Sequence, residues 1–259
     1  MDFNDQPGVG KKVGIVGIPL GFGAGQTGSE LGVEAMRLSS IRGKRLIDHI
    51  RDLGYDVSDI GDVDVVKPNR PPSKGENPRF LPEMLASCRN MSASLKQILA
   101  DDRIPVTLGG DHSIAIGTIS GISSFVREQD QELGLIWFDA HADINSPETS
   151  DSGNIHGMPL ATLLGYGNAE LVGLEGFSPK LNPEFCAHVG ARDLDSGEKR
   201  RINELGLRDN FFTMSDIDKR GMLACVEDAI GIASKASGGF AVTFDVDMID
   251  PRFAPGSGT

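Results

Sequence analysis

The sequence predicts an α/β fold: a single domain with a mostly parallel β-sheet and helices on both faces. Three observations predict it. Apolar runs of four to seven residues alternate with longer stretches of helical periodicity, an order that favours parallel strands joined by crossover helices. The 259 residues, 39% of them hydrophobic and 24% charged, are enough for one large core. Finally, two of the apolar runs end in clustered acids, and ligands of open α/β sheets bind beyond the carboxyl ends of the strands.

Residues 12–18 read as the first strand, followed by a glycine-rich loop over 19–32. Apolar residues at Val33, Met36, Ile47, Ile50 and Leu53 predict a helix over 33–53, and 56–60 is a short strand. The five prolines of 67–82 mark a surface loop rather than a domain boundary. Leu81, Met84, Leu85, Cys88, Met91, Leu95, Ile98 and Leu99 recur at three- and four-residue spacing, so a helix spans 81–100. A strand over 104–108, a helix over 114–127 and a strand starting at Leu133 follow. Beyond a loop to about Asn154, the expected elements are a short helix over 157–165, a strand over 185–189 and a helix over 196–205 opened by Ser196. A strand over 210–214, a long helix over 216–237 and a last strand over 240–246 complete the pattern.

Composition narrows the function. A formal net charge of -12 disfavours non-specific nucleic-acid binding and docking to anionic membranes. No apolar run is long enough for a membrane helix, and no basic-then-apolar leader opens the chain. Cys88, Cys186 and Cys225 are odd in number and form no CxxC pair, so free buried thiols in a reducing cytoplasm are expected rather than disulfides.

The chemistry concentrates in three segments. Leu133–Asp143 runs from an apolar strand into Asp139, His141 and Asp143. On an extended backbone these three share one face but span about 13 Å, more than one small cation bridges without bending. Residues 240–247 repeat the design, ending in Asp245 and Asp247. Residues 106–117 place Gly109 and Gly110 at a strand end, then Asp111 and His112 before a helix, aiming His112 into the same crevice. Four carboxylates and two imidazoles form an oxygen-rich donor set that suits manganese better than a thiolate site would. Two divalent ions would nearly balance the four carboxylates and a bridging hydroxide, whereas one ion would leave acids close together and unpaired. Water bridging two such ions is acidified toward neutrality, which points to hydrolysis at an electrophilic carbon.

Gly109-Gly110-Asp111-His112-Ser113, Asp139-Ala140-His141-Ala142-Asp143-Ile144-Asn145 and Phe244-Asp245-Val246-Asp247-Met248-Ile249-Asp250-Pro251 resemble the three metal motifs of the ureohydrolase superfamily. Asp151-Ser152-Gly153-Asn154-Ile155-His156-Gly157-Met158-Pro159 is similar to its arginase branch. The resemblance runs from Lys12 to Thr259 and implies hydrolysis of L-arginine to L-ornithine and urea by attack of a metal-bridging hydroxide. It implies two Mn2+ ions, one held by His112, Asp139, Asp143 and Asp245, the other by Asp139, His141, Asp245 and Asp247. It also implies Asn145 and Ser152 at the substrate carboxylate, Asp195 at its ammonium, His156 as proton shuttle, and a contact from Asp143 to the hydroxide. A cytoplasmic homo-oligomer, a trimer or hexamer, belongs to the same expectation. The family continues past the point where this chain ends, so the domain, 1–259, is expected to lack its C-terminal part and a glutamate that meets the guanidinium. Alternative readings are an agmatinase or formimidoylglutamase, or a catalytically impaired fragment.

Other candidates have plainer readings. His49 and His188 stand outside any motif, and each reads as a helix-surface or a satisfied core histidine; Trp137 reads as core packing, and Asp193 and Asp250 as structural acids. Gly23, Gly25 and Gly28 match GxGxxG, but the loop runs on to Gly32 where a dinucleotide site needs a helix to open at once, so a substrate-side loop is the better reading.

Overall fold

The computed structural model describes residues 7–256. The expected leaderless start and the chain end at Thr259 lie outside them. Strand β1 (Lys12–Ile18) leads through two short 3-10 turns to helix α1 (Gly32–Leu38), a two-residue hairpin of β2 (Ser40–Ile41) and β3 (Lys44–Arg45), helix α2 (Leu46–Asp52) and strand β4 (Asp56–Asp62). Helix α3 (Leu81–Ala100), strand β5 (Arg103–Gly109), helix α4 (Ile114–Arg127) and strand β6 (Gly134–Phe138) follow. Then come α5 (Pro159–Leu163), α6 (Ala169–Val172), β7 (Cys186–Val189), α7 (Ser196–Glu204), β8 (Phe211–Phe212), α8 (Met214–Arg220), α9 (Met222–Ala233) and β9 (Phe240–Phe244).

Seven strands form two parallel sheets, β4-β1-β5 and β8-β7-β6-β9. In the first, Val13 sits beside Val57 and Ile104; in the second, Leu135 sits beside Cys186 and Ala241. Alternation along each strand feeds two helical layers. Val13 and Ile15 pack with Val33, Leu46 and Ile47 of α1 and α2. Val16 and Ile18 pack with Met84, Cys88, Met91 and Leu95 of α3. In the second sheet Leu135 and Trp137 meet α4 and α5, while Ile136 meets Cys225, Ala229 and Ala233 of α9. Burying one such leucine or methionine contributes about 1.5–3 kcal/mol. Helix α4 serves both sheets, since Ile122 touches the core of each, and so one α/β domain results, as the β-α order predicts.

Four expectations need correction. The helix over 33–53 is two helices separated by the hairpin, because Arg42 and Gly43 both adopt positive φ (54° and 76°) and turn the chain back on itself. The helix over 216–237 breaks at Gly221 (φ 84°, ψ 149°), and its first part starts earlier, at Met214, where Thr213 accepts the Asp216 N–H. The strand over 210–214 therefore shrinks to Phe211–Phe212. The last strand ends at Phe244, two residues early, and a 3-10 turn over Val246–Met248 carries Asp247. The sequence reading lacked α6, whose N-cap is Asn168.

Candidate metal centre and active site

The two sheets present the carboxyl ends of β5, β6 and β9 to one crevice. His112, just beyond β5, points its Nδ1 at three acids: 2.8 Å from Asp139 Oδ2, 3.1 Å from Asp143 Oδ2 and 3.4 Å from Asp245 Oδ2. His141 Nδ1 lies 3.0 Å from Asp247 Oδ2 and 3.5 Å from Asp139 Oδ1. Two donor groups result, His112–Asp139–Asp143 and Asp139–His141–Asp247, and within each the ligand-type atoms lie within 4.8 Å of one another. Asp139 belongs to both groups. The structure brings five of the six candidate ligands into these two groups, and Asp245 adjoins them through His112.

An extended backbone does not bring Asp143 there. The strand ends at Phe138, and Asp143 takes a left-handed conformation, φ 51°, folding the segment back so that Asp139 and Asp143 both reach His112. Such a backbone costs of order 1–3 kcal/mol and persists only where its surroundings hold it. Here Leu160 donates to the Asp143 carbonyl at 2.9 Å, and Asn145 N donates to the Gly157 carbonyl at 3.1 Å. Main-chain N–H groups orient the acids: His141 N donates to Asp139 Oδ1 (2.8 Å), Ala140 N to Asp247 Oδ1 (3.1 Å) and Asp247 N to Asp245 Oδ1 (2.9 Å). Arg192 donates to the carbonyls of Asp247 and Met248, pinning the last loop.

Two further residues act on the cluster. Thr243 Oγ1 lies 2.6 Å from His112 Nε2, and Trp137 Nε1 donates to Asp139 Oδ2 at 3.1 Å while its ring stacks on His112 at 4.2 Å. Trp137 is fully buried as expected, yet it also orients a cluster acid. The signal was periodic: Trp137 and Thr243 each stand two residues before a cluster acid, on the same face of their strand.

The electrostatics are those of buried acids sharing protons with imidazoles. Burial alone would lower the His112 pKa, but hydrogen bonds to Asp139, Asp143 and Asp245 raise it well above its ordinary value. Hydrogen bonds to Asp139 and Asp247 raise His141 to about 11. Burial pushes the Asp143 carboxyl well up, reinforced by the charge on Asp139. Burial works the same way on Asp139, but bonds to His112 and His141 outweigh it and hold that carboxyl below the usual range. With four carboxylates around two imidazoles, hard divalent cations fit this donor set, replacing the protons that hold it together.

Asn145 and Asp195 also meet: Asn145 Nδ2 donates to Asp195 Oδ2 at 2.7 Å. Helix α7 opens at Ser196 as expected, and Asp195 is its N-cap, in a capping box with Glu198. Burial would raise the Asp195 pKa, but hydrogen bonds from the Glu198 N–H and Asn145 lower it, so the side chain stays anionic. Ser152 is exposed and accepts the Asn154 N–H at 3.2 Å; its hydrogen bonding does not reach Asn145 or Asp195. His156 lies on a 3-10 turn, half-buried. Burial lowers its pKa, countered by Asp111 and reinforced by His141, which places it in the field of the cluster.

The remaining candidates behave as structural groups. His188 is buried, its Nε2 2.6 Å from the His141 carbonyl and its ring stacked on Phe211. His49 sits on α2, 3.2 Å from the Ile41 carbonyl. Asp250 caps a local turn through the Arg252 N–H. No α-helix opens at Gly23, Gly25 or Gly28, since only short 3-10 turns precede α1 at Gly32; Ala24 N donates to Asp111 Oδ2 (3.2 Å) and its carbonyl accepts from Asn154 Nδ2 (3.1 Å). The three cysteines are buried and free, and among the described residues no helix is long and apolar enough to cross a membrane.

A parallel-sheet α/β domain with a carboxylate–imidazole cluster at its strand ends defines a hydrolase of the ureohydrolase superfamily. Residues 11–259 match the Arginase family, and the chain belongs to it. It is 39% identical over 250 residues to the arginase of Bacillus caldovelox, covering 96% of this chain and 80% of that one. It is 40% identical to the arginase of Bacillus subtilis, covering 96% and 79%. The Bacillus caldovelox arginase structure superposes with a TM-score of 0.86 at 38% identity, over 95% of this chain and 79% of that one. Entamoeba histolytica arginase in complex with L-ornithine gives 0.78 at 28% identity, over 94% and 78%.

Proposed function

We propose that this protein hydrolyses L-arginine to L-ornithine and urea with two manganese ions. The observation that carries the reading is the pair of donor groups sharing Asp139, with Asn145, beyond β6, hydrogen-bonded to Asp195, beyond β7. In this reading His112, Asp139, Asp143 and Asp245 hold one ion, and Asp139, His141, Asp245 and Asp247 hold the other. Bound there, such ions lower the pKa of water and neutralise the acids that surround it.

The chain's own residues supply the rest. Asp195, anionic, attracts the substrate α-ammonium, while the Asn145 amide and the Ser152 hydroxyl donate to its carboxylate. Burial disfavours the charged form of the His156 imidazole, which suits it to take a proton from the attacking water and deliver it to the departing ornithine nitrogen. Asp143 accepts a hydrogen bond from that water. Self-association into a trimer or hexamer belongs to the same proposal, read from the mass in solution by light scattering.

Urea release with manganese tests the reading, with L-arginine beside agmatine and the protein beside its His141→Asn variant. Release from arginine, lost in the variant, is the expected result. Equal activity in both proteins would remove the site, and a preference for agmatine would move the protein to another guanidine hydrolase.

A further inference from the structure

Asn145 sits at the centre of a chain of side-chain hydrogen bonds. Its Nδ2 donates to Asp195 Oδ2 at 2.7 Å, and its Oδ1 accepts from the Thr149 hydroxyl at 2.7 Å. The Thr149 oxygen in turn accepts the Ser146 N–H at 2.9 Å. That hydroxyl proton has another acceptor, the Ser146 carbonyl, only at 3.3 Å, so the amide oxygen is its better partner. The backbone of Asn145 is itself fixed through Gly157, and the residue is buried. The remaining freedom of the side chain is therefore which way the amide faces.

A second observation concerns Gly197 on α7. A Cβ built there would stand 3.0 Å from Asn145 Oδ1, 3.0 Å from Thr149 Cβ and 3.2 Å from Asp195 Oδ1. The absence of a side chain at position 197 is what lets these three residues close together.

We infer that Thr149, with Gly197, is a positioning residue that fixes the Asn145 amide nitrogen toward the substrate side and so makes this subsite selective for an amino acid over a decarboxylated amine. With its oxygen held by Thr149 and one N–H given to Asp195, Asn145 has a single N–H left, a donor suited to a carboxylate. A flipped amide would instead offer an acceptor and repel that carboxylate. The assignment rests on the arginase reading above, because that reading places a substrate carboxylate at Asn145.

The test compares the protein with Thr149→Val, Thr149→Ser and Gly197→Ala. Calorimetry in the presence of manganese gives Kd for L-ornithine and for putrescine, which lacks the carboxylate, and urea release gives kcat and KM for L-arginine. Thr149→Val is expected to weaken ornithine and raise the arginine KM about tenfold, the scale of one hydrogen bond to a charged group. Its kcat and its putrescine affinity should hold, Gly197→Ala should move the same way, and Thr149→Ser should restore the original values. Equal weakening of ornithine and putrescine, or failure of serine to restore, would show a merely structural role and overturn the assignment. Ornithine selectivity unchanged in Thr149→Val would overturn it while leaving the arginase reading intact. An unsubstituted protein that binds neither ligand and releases no urea would overturn both.

Discussion

Thr243 Oγ1, on the last strand of one sheet, lies 2.6 Å from Nε2 of His112, on the loop that follows an edge strand of the other. The contact sets the ring so that Nδ1 faces the acids. Outer partners of this kind hold a metal-ligating imidazole in the right orientation, and losing one typically costs 10–100-fold in metal affinity. Thr243→Val preserves shape and strand propensity. It should lower manganese affinity by roughly 10–100-fold while leaving the fold and the fully loaded kcat close to unchanged. Metal titration followed by atomic absorption checks this, and an unaltered affinity would refute it.

Metal uptake should release protons. His141 is held protonated until about pH 11 by Asp139 and Asp247, and a ligand must be neutral to bind a cation. Adding manganese to metal-free protein at pH 8 should therefore acidify a weakly buffered solution, with apparent affinity rising with pH. His141→Asn should reduce the release. An affinity independent of pH between 7 and about 9 would contradict proton competition at this ring.

His188 makes a separate prediction for acid. Burial lowers its pKa from 6.5 to about 4, so the folded protein holds it neutral. Its Nε2 donates to the His141 carbonyl, and among the described residues its Nδ1 has no hydrogen-bond partner, which suits a neutral ring and not a charged one. The sign follows from linkage: the unfolded chain binds this proton first, so the stabilising term is present above pH 6.5 and is lost as pH falls through about 4. Thermal midpoints measured across that window should drop with acid, and His188→Gln should flatten the limb.

Gly221 separates α8 from α9 at φ 84° and ψ 149°, a conformation open essentially to glycine alone. Among the described residues a Cβ there would meet no atom within 4 Å, so crowding plays no part. Gly221→Ala should destabilise the protein by about 1–3 kcal/mol through backbone strain alone. Urea unfolding measures this, and a change below the error of the midpoint would refute the strain argument.

Much of the site was legible because its chemistry sits at strand ends. An apolar run that stops at an acid, as at Phe138-Asp139 and Phe244-Asp245, announces both the strand and the direction its ligand faces. The helices at 81–100 and 114–127 were legible from three- and four-residue spacing. The helix over 33–53 misled because Val33 and Met36 lie in phase with Ile47 and Ile50 across a turn, and nothing local marks Arg42 as left-handed. The return of Asp143 toward His112 was equally hidden, since tertiary hydrogen bonds from Asn145 and Leu160 hold that bend. Glycine at 221 was a visible break in an otherwise continuous pattern, and the long helix there needed only that residue to be weighed.

The cluster draws His112 from the sheet of β4, β1 and β5, and its other five members from the sheet of β8, β7, β6 and β9. Cations seated among these groups would act as a clasp across the seam between two halves of the molecule. Chelation should then do more than silence chemistry: it should loosen that seam, and amide exchange should quicken along the facing edges of β5 and β9 before either sheet's interior yields.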